Sequence, residues 1–219
     1  MADGRKLGIG EAMAGTVRVL RDHTLPVAIY VVALAGLGVA SDLMLPNGPM
    51  FLDSIAGFFA GYFLYDHILK SEGMTAPDRT GTSFGSYLGV SILSGLGLIL
   101  GLLLFVVPGL ILAARWTIAA PLVVAHGMGA TEAMRESWEL TRASQWQLVL
   151  LYFLYGAILV LAMAALGFSA AFTSGEESLG LTIALNLLAQ AFGASAIAIA
   201  VAVMRELWGE GEGIQAVFA

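Results

Sequence analysis

Apolar residues in this chain come in runs too long for soluble helices. Phe84 to Ala114, Ala143 to Gly175 and Ser178 to Met204 contain no Asp, Glu, Lys or Arg. Each can cross the roughly 30 Å hydrocarbon core of a bilayer. Inside lipid every backbone N–H and C=O must be bonded within the protein, and the alternation of a barrel strand is absent, so the runs predict helices. Leu25 to Leu69, 45 residues, would make one helix about 68 Å long, so it must turn. Pro46-Asn47-Gly48-Pro49 supplies the break, because proline lacks an amide hydrogen and Asn-Gly suits turn geometry. Phe84 to His126 is likewise too long, and Pro108-Gly109 marks the expected hairpin. The pattern predicts six transmembrane helices near 25–45, 50–69, 84–107, 110–126, 147–167 and 180–204. An acidic loop around Glu176 and Glu177 separates the last two.

Composition agrees: 58% of residues are hydrophobic and 12% charged, where a soluble domain carries about 25% charged residues. The fold class is an all-α, polytopic integral membrane protein, with residues 1–219 forming a single membrane domain. A net charge of −6 and no basic run longer than Arg5-Lys6 exclude nucleic acid as a partner. The absence of cysteine removes disulfides, thiol catalysis and Cys-ligated metal. Arg5, Lys6, Arg18, Arg21, Lys70, Arg79, Arg135, Arg142 and Arg205 all fall on one side of the six spans, which predicts cytoplasmic N- and C-termini. Gly38-Val39-Ala40 imitates a signal-peptide cleavage site, but the 24 residues before the first span carry Asp3, Glu11 and Asp22, too long and acidic for an n-region.

Glu11-Ala12-Met13 returns as Glu132-Ala133-Met134, and at the same offset Thr16 meets Ser137 and Arg21 meets Arg142. Chance similarity between two amphipathic helices is the competing account. At 100° per residue each copy has a charged arc and an apolar one, which predicts interfacial helices at 9–23 and 131–146. Their candidate membrane-facing surface is Met13, Val17 and Leu20 in the first copy and Met134, Trp138 and Leu140 in the second. Each precedes a transmembrane hairpin, so the repeat is parallel rather than inverted.

Within the spans, Asp42, Asp53 and Arg115 all count to within a few residues of the non-cytoplasmic end, and Asn186 and Gln190 share one face of the last helix. Together they are a candidate polar cluster. Either it lines a cavity open to the outside, or Arg115 snorkels or pairs with an Asp to lock helices together. Asp66, His67 and His126 at span ends are too scattered to define a metal site. Gly57–Gly61, Gly85–Gly89 and Gly97–Gly101 have the spacing that lets helix backbones approach closely, inside the bundle or between copies. Trp116, Trp138, Trp146 and Trp208 suit an interfacial belt.

The run Pro108-Gly109-Leu110-Ile111-Leu112-Ala113-Ala114-Arg115-Trp116, followed by Ala120-Pro121-Leu122-Val123-Val124, resembles the membrane domain of bacterial glycerophosphodiester phosphodiesterases and its standalone relatives. Glu132 to Trp138, through Arg142 and Trp146, is similar to that family's cytoplasmic helix. His126-Gly127 departs from it, since an acid is expected before the glycine. In fused members the hydrolase is a separate soluble barrel with metal-binding carboxylates, which nothing in this sequence encodes. The resemblance therefore implies a bacterial inner-membrane module. No GxSxG, HExxH or Walker A motif is present, so the expectation is a non-enzyme without cofactor, catalytic residue or metal. Its expected partners are membrane lipids, with another membrane protein or a second copy left open. The expected role lies in membrane or envelope homeostasis, and transport or channel activity through the outer polar cluster is the alternative.

Overall fold

The computed structural model describes the backbone of residues 7–44, 51–77, 84–172 and 179–218, and side chains over 7–44, 54–77, 84–168 and 179–208. Among these residues the chain is all helix: α1 (Ile9–Asp22), α2 (Thr24–Met44), α3 (Phe51–Ser71), α4 (Phe84–Leu104), α5 (Val106–Arg115), α6 (Ala119–His126), α7 (Ala130–Leu140), α8 (Gln145–Phe172) and α9 (Leu179–Phe218). The expected Pro46–Pro49 turn, the loop around Glu176 and Glu177, and Arg5, Lys6 and Arg79 lie outside the described residues.

Among the described residues, five stretches are long and apolar enough to cross a membrane: Thr24–Met44, Phe84–Leu104, Val106–His126, Gln145–Phe168 and Leu179–Trp208. The expected second span, α3, has the same 21 residues as α2 but is not among them. Asp66, His67 and Lys70 near its C-terminus lower its hydropathy. Large apolar side chains along the helices face outward, as a bilayer requires: Ile158 is 59% exposed, Leu161 70% and Phe168 69%.

Two expected boundaries move. The α4–α5 turn falls at Phe105, not at Pro108-Gly109, and Pro108 sits in the first turn of α5, where its missing N–H costs no hydrogen bond. Gly109 serves instead as a contact between helices: a Cβ on Gly101 would stand 2.8 Å from its Cα. The expected helix 110–126 is also broken, at Trp116-Thr117-Ile118. Side chains satisfy the freed carbonyls. Thr117 Oγ1 donates to Ala113 O and Ala114 O, each at 2.9 Å. Arg115 O accepts from Ser137 Oγ at 2.7 Å and Thr141 Oγ1 at 3.3 Å. Bonds of this kind are what permit a break at membrane depth.

Close packing is concentrated at one end of the bundle. Leu122, Val123, Val124 and Ala125 of α6 are fully buried, as are Ile68 and Leu69 of α3 and Val201, Val203 and Met204 of α9. Gly127 ends α6 in a left-handed conformation at φ 68°, which explains why a glycine stands there. Gly73 does the same after α3, at φ 70°. At this end α1 and α7 pack into the bundle by small residues. Ala12 and Val19 of α1 and Ala133 and Ser137 of α7 are at most 1% exposed, and Gly15 lies against Ala202. The expected interfacial helix 131–146 ends at Leu140, because Thr141 to Ser144 turn the chain into α8. Helix α9 runs on past the expected end at residue 204 to Phe218.

The two repeat copies share their start. Gly8 N–H donates to Glu11 Oε2 at 3.0 Å, and Gly129 N–H to Glu132 Oε2 at 3.3 Å. Each glutamate reaches back to an otherwise unpaired donor of its own helix. Of the six residues expected to face the membrane, Met13 is 53% exposed, Val17 62% and Trp138 37%, while Leu20, Met134 and Leu140 are partly buried against the core.

Candidate functional site: a lipid-facing groove and a hydroxyl-lined cavity

Among the described residues the expected polar cluster comes together only in part. Asp42 accepts from Asn186 Nδ2 at 2.9 Å, across a close approach of α2 and α9 at Gly38. Gln190 lies one turn along α9, and the side chain of Asp53 is outside the described residues. Arg115 stands elsewhere. Its Nη1 donates to Trp138 O at 2.9 Å, its guanidinium covers the Trp138 ring at 4.7 Å, and its charged neighbours are Arg142 and Glu139. Counting depth along an unbroken helix misplaced it. The chain breaks just after Arg115, and α7 folds inward to meet it. Trp116, expected in a belt, turns into the bundle against Gly97.

At the packed end a second set of polar groups ties three helices together. His23, just after α1, lies 3.3 Å from Glu72 Oε1 by its Nε2, and Arg205 of α9 donates to Glu72 Oε2 at 3.0 Å. His67 meets the His23 ring edge-on at 6.1 Å, and Leu7 N–H donates to Ser144 Oγ at 2.9 Å. His126, distant from these in sequence, packs on Trp208 with ring centroids 4.7 Å apart. Among the described residues no three His, Asp or Glu side chains converge to hold a metal ion.

Two spaces have the dimensions of ligand sites. The first, about 930 Å³, is a groove between α2 and α3. Its walls are apolar and open to lipid, with Leu25 72% exposed, Ile29 59% and Phe63 63%. It runs from Leu34 and Ala60 to a polar end at Asp66, His67, Lys70 and Ser71. At 1.5 Å per residue it is about 15 Å long, one leaflet of the core. Lys70 Nζ donates to Asp66 Oδ2 at 2.6 Å, and its side chain is 57% exposed.

The second space, about 370 Å³, lies at the centre of the bundle among α2, α3, α4, α5, α8 and α9. Tyr30, Tyr65, Tyr87, Tyr152, Ser94 and Thr117 border it, and among the described residues its lining contains no charged side chain. Glycines shape it. A Cβ on Gly61 would come within 2.7 Å of the Tyr87 hydroxyl, whereas Gly57 and Gly95 face open space. Tyr30 borders both groove and cavity, its hydroxyl beside Gly193 of α9.

These tyrosines lie outside every expectation drawn from the sequence, although a signal was present. All six of the chain's tyrosines lie within about ten residues of the basic-flanked ends of their helices. The belt rule accounts for tyrosine at an interface, not for so many one to three turns inside it.

A search of curated proteins found no match, and neither did a search of solved structures. A sequence-family comparison did: residues 90–204, just over half of the chain, match the membrane domain of glycerophosphoryl diester phosphodiesterase. The matched region runs from α4 through the broken α5–α6 pair and α7 to the packed part of α9, and with several apolar helices around it this is a multi-pass membrane protein. The chain belongs to the family of the membrane domain of glycerophosphoryl diester phosphodiesterase.

Proposed function

We propose that the chain is a non-catalytic, lipid-binding module of a bacterial inner membrane. In this reading it has six spans, keeps both termini in the cytoplasm, and serves membrane homeostasis by holding a phospholipid of the inner leaflet between α2 and α3. The groove carries the reading. It is apolar for one leaflet's depth and ends at Lys70, on the side where the basic residues gather. An ammonium group has three donors, so Lys70 can keep Asp66 and still bind a lipid phosphate. The family's name points the same way, since it belongs to an enzyme of glycerophosphoryl diesters, which are phospholipid headgroup chemistry. The transport alternative would have to work without Arg115, which stands apart from Asp42 and Asn186.

Native mass spectrometry of the full chain, released in mild detergent with dioleoyl phosphatidylglycerol, tests the reading. We expect one retained phospholipid. Lys70→Ala should weaken retention about fivefold, the worth of one basic contact to an anionic headgroup, and Ala60→Trp should block the groove. A chain that retains no phospholipid, or retains it equally in both variants, removes the proposal.

A further inference from the structure

We propose that the central cavity binds the uncharged, oxygen-bearing end of a neutral lipid of the diacylglycerol type, admitted sideways from the α2–α3 groove past Tyr30. Four observations converge on this. The cavity, about 370 Å³, has room for a glycerol and its ester groups but not for acyl chains, and lies at the small end of ligand sites. Among the described residues its lining offers hydroxyls and no charged side chain. A phosphate or ammonium there would be desolvated without a counter-charge, whereas hydroxyl and carbonyl oxygens would find donors and acceptors. Ser94 Oγ is buried with no hydrogen-bond partner among the described residues, a costly state that a bound oxygen relieves. Gly57 and Gly95 keep the space open, with nothing within 4 Å of where a Cβ would stand.

The entry route follows from Tyr30, the residue common to both spaces. In this route the Tyr30 ring turns aside and a neutral lipid lying in the groove passes its glycerol end inward while its chains stay among Ile29, Ala33 and Phe63. The route rests on the groove reading above, but occupancy of the cavity does not.

The test uses the full chain in mild detergent, with dioleoylglycerol and dioleoyl phosphatidylglycerol as probes in separate native mass spectrometry titrations, and free glycerol as competitor. Wild type should retain one dioleoylglycerol. Gly95→Leu and Gly57→Leu fill the cavity and replace glycine by a better helix former, so folding should persist while retention falls at least tenfold. Ser94→Ala should lower it about fivefold, the worth of one hydrogen bond. Gly95→Leu should leave phosphatidylglycerol retention within twofold, which separates cavity from groove. Dioleoylglycerol binding that is absent, or unchanged in both leucine variants, overturns the inference even where phosphatidylglycerol binds. Phosphatidylglycerol that fails to bind while dioleoylglycerol behaves as described overturns only the groove occupant. Displacement by millimolar glycerol makes the occupant a soluble polyol and overturns the lipid assignment.

Discussion

At the scale of single residues, Arg115 shows how a buried charge is held without a direct ion pair among the described residues. It is 8% exposed, and beside the more distant charges of Glu139 and Arg142 its close partners are a helix carbonyl and the face of an indole. Arg115→Ala removes a charge-assisted hydrogen bond and a cation–π contact, so we expect a loss of about 2 kcal/mol. Arg115→Lys should recover less than half of that, because an ammonium cannot lie flat on Trp138 while reaching its carbonyl. Thermal unfolding in detergent measures both, and a lysine variant as stable as wild type contradicts this account. The charge itself was legible, since an arginine in an apolar run must be accounted for. Its partner was not, because residue numbers give depth only along a continuous helix. The Asp42–Asn186 contact was half legible: both residues fall in the expected outer set, yet their meeting depends on Gly38, which a count of polar residues does not register.

At the scale of elements, α1 and α7 are a pair whose buried faces are small rather than greasy. The periodicity located both helices and their charged arcs, and it set the largest apolar side chains toward the membrane. Met13, Val17 and Trp138 are exposed, whereas Leu20, Met134 and Leu140 turn partly into the bundle. The closest contacts there are made through alanine, glycine and serine, because without water between helices the favoured contact is the closest one. Ala133→Leu should therefore overpack α7 against its neighbours and cost about 1–3 kcal/mol. Met13→Ser with Val17→Ser should leave the unfolding midpoint nearly unchanged and weaken the hold of α1 on lipid vesicles. Hydrogen exchange of α1 in vesicles reads the second effect, and destabilisation by the serine pair equal to that of Ala133→Leu would sink the distinction. The α5–α6 break had one sequence signal, Pro121 in the first turn of α6, which has no N–H to give Thr117 O in a continuous helix; Arg115-Trp116-Thr117-Ile118 itself contains neither proline nor glycine. The break is also supported by partners distant in sequence, Ser137 and Thr141, which take the Arg115 carbonyl.

At the scale of the whole molecule, the proposal of six spans with both termini inside makes a prediction the natural sequence is well suited to test, because no cysteine supplies background. Gly48→Cys and Gly175→Cys should react with an impermeant maleimide on intact cells, and Thr82→Cys only after the membrane is opened. Labelling of positions 48 and 82 from the same side would rule out α3 as a span. The overall hydropathy was legible from residue order alone, but the packed end was not, because it is built from contacts between the first and last parts of the chain. Those contacts also order the birth of the protein. Leu7 leaves the ribosome 137 residues ahead of the Ser144 that receives its amide hydrogen, and further still ahead of Ala202, against which Gly15 rests. Through most of translation α1 lacks the surfaces of Ser144 and α9 on which it finally packs, although α3, beside His23 through Glu72 and His67, is made far earlier. Docking of α1 on α9 therefore waits for the last of the described helices, and a chain stopped short of α9 would leave Gly15 without the alanine it rests against.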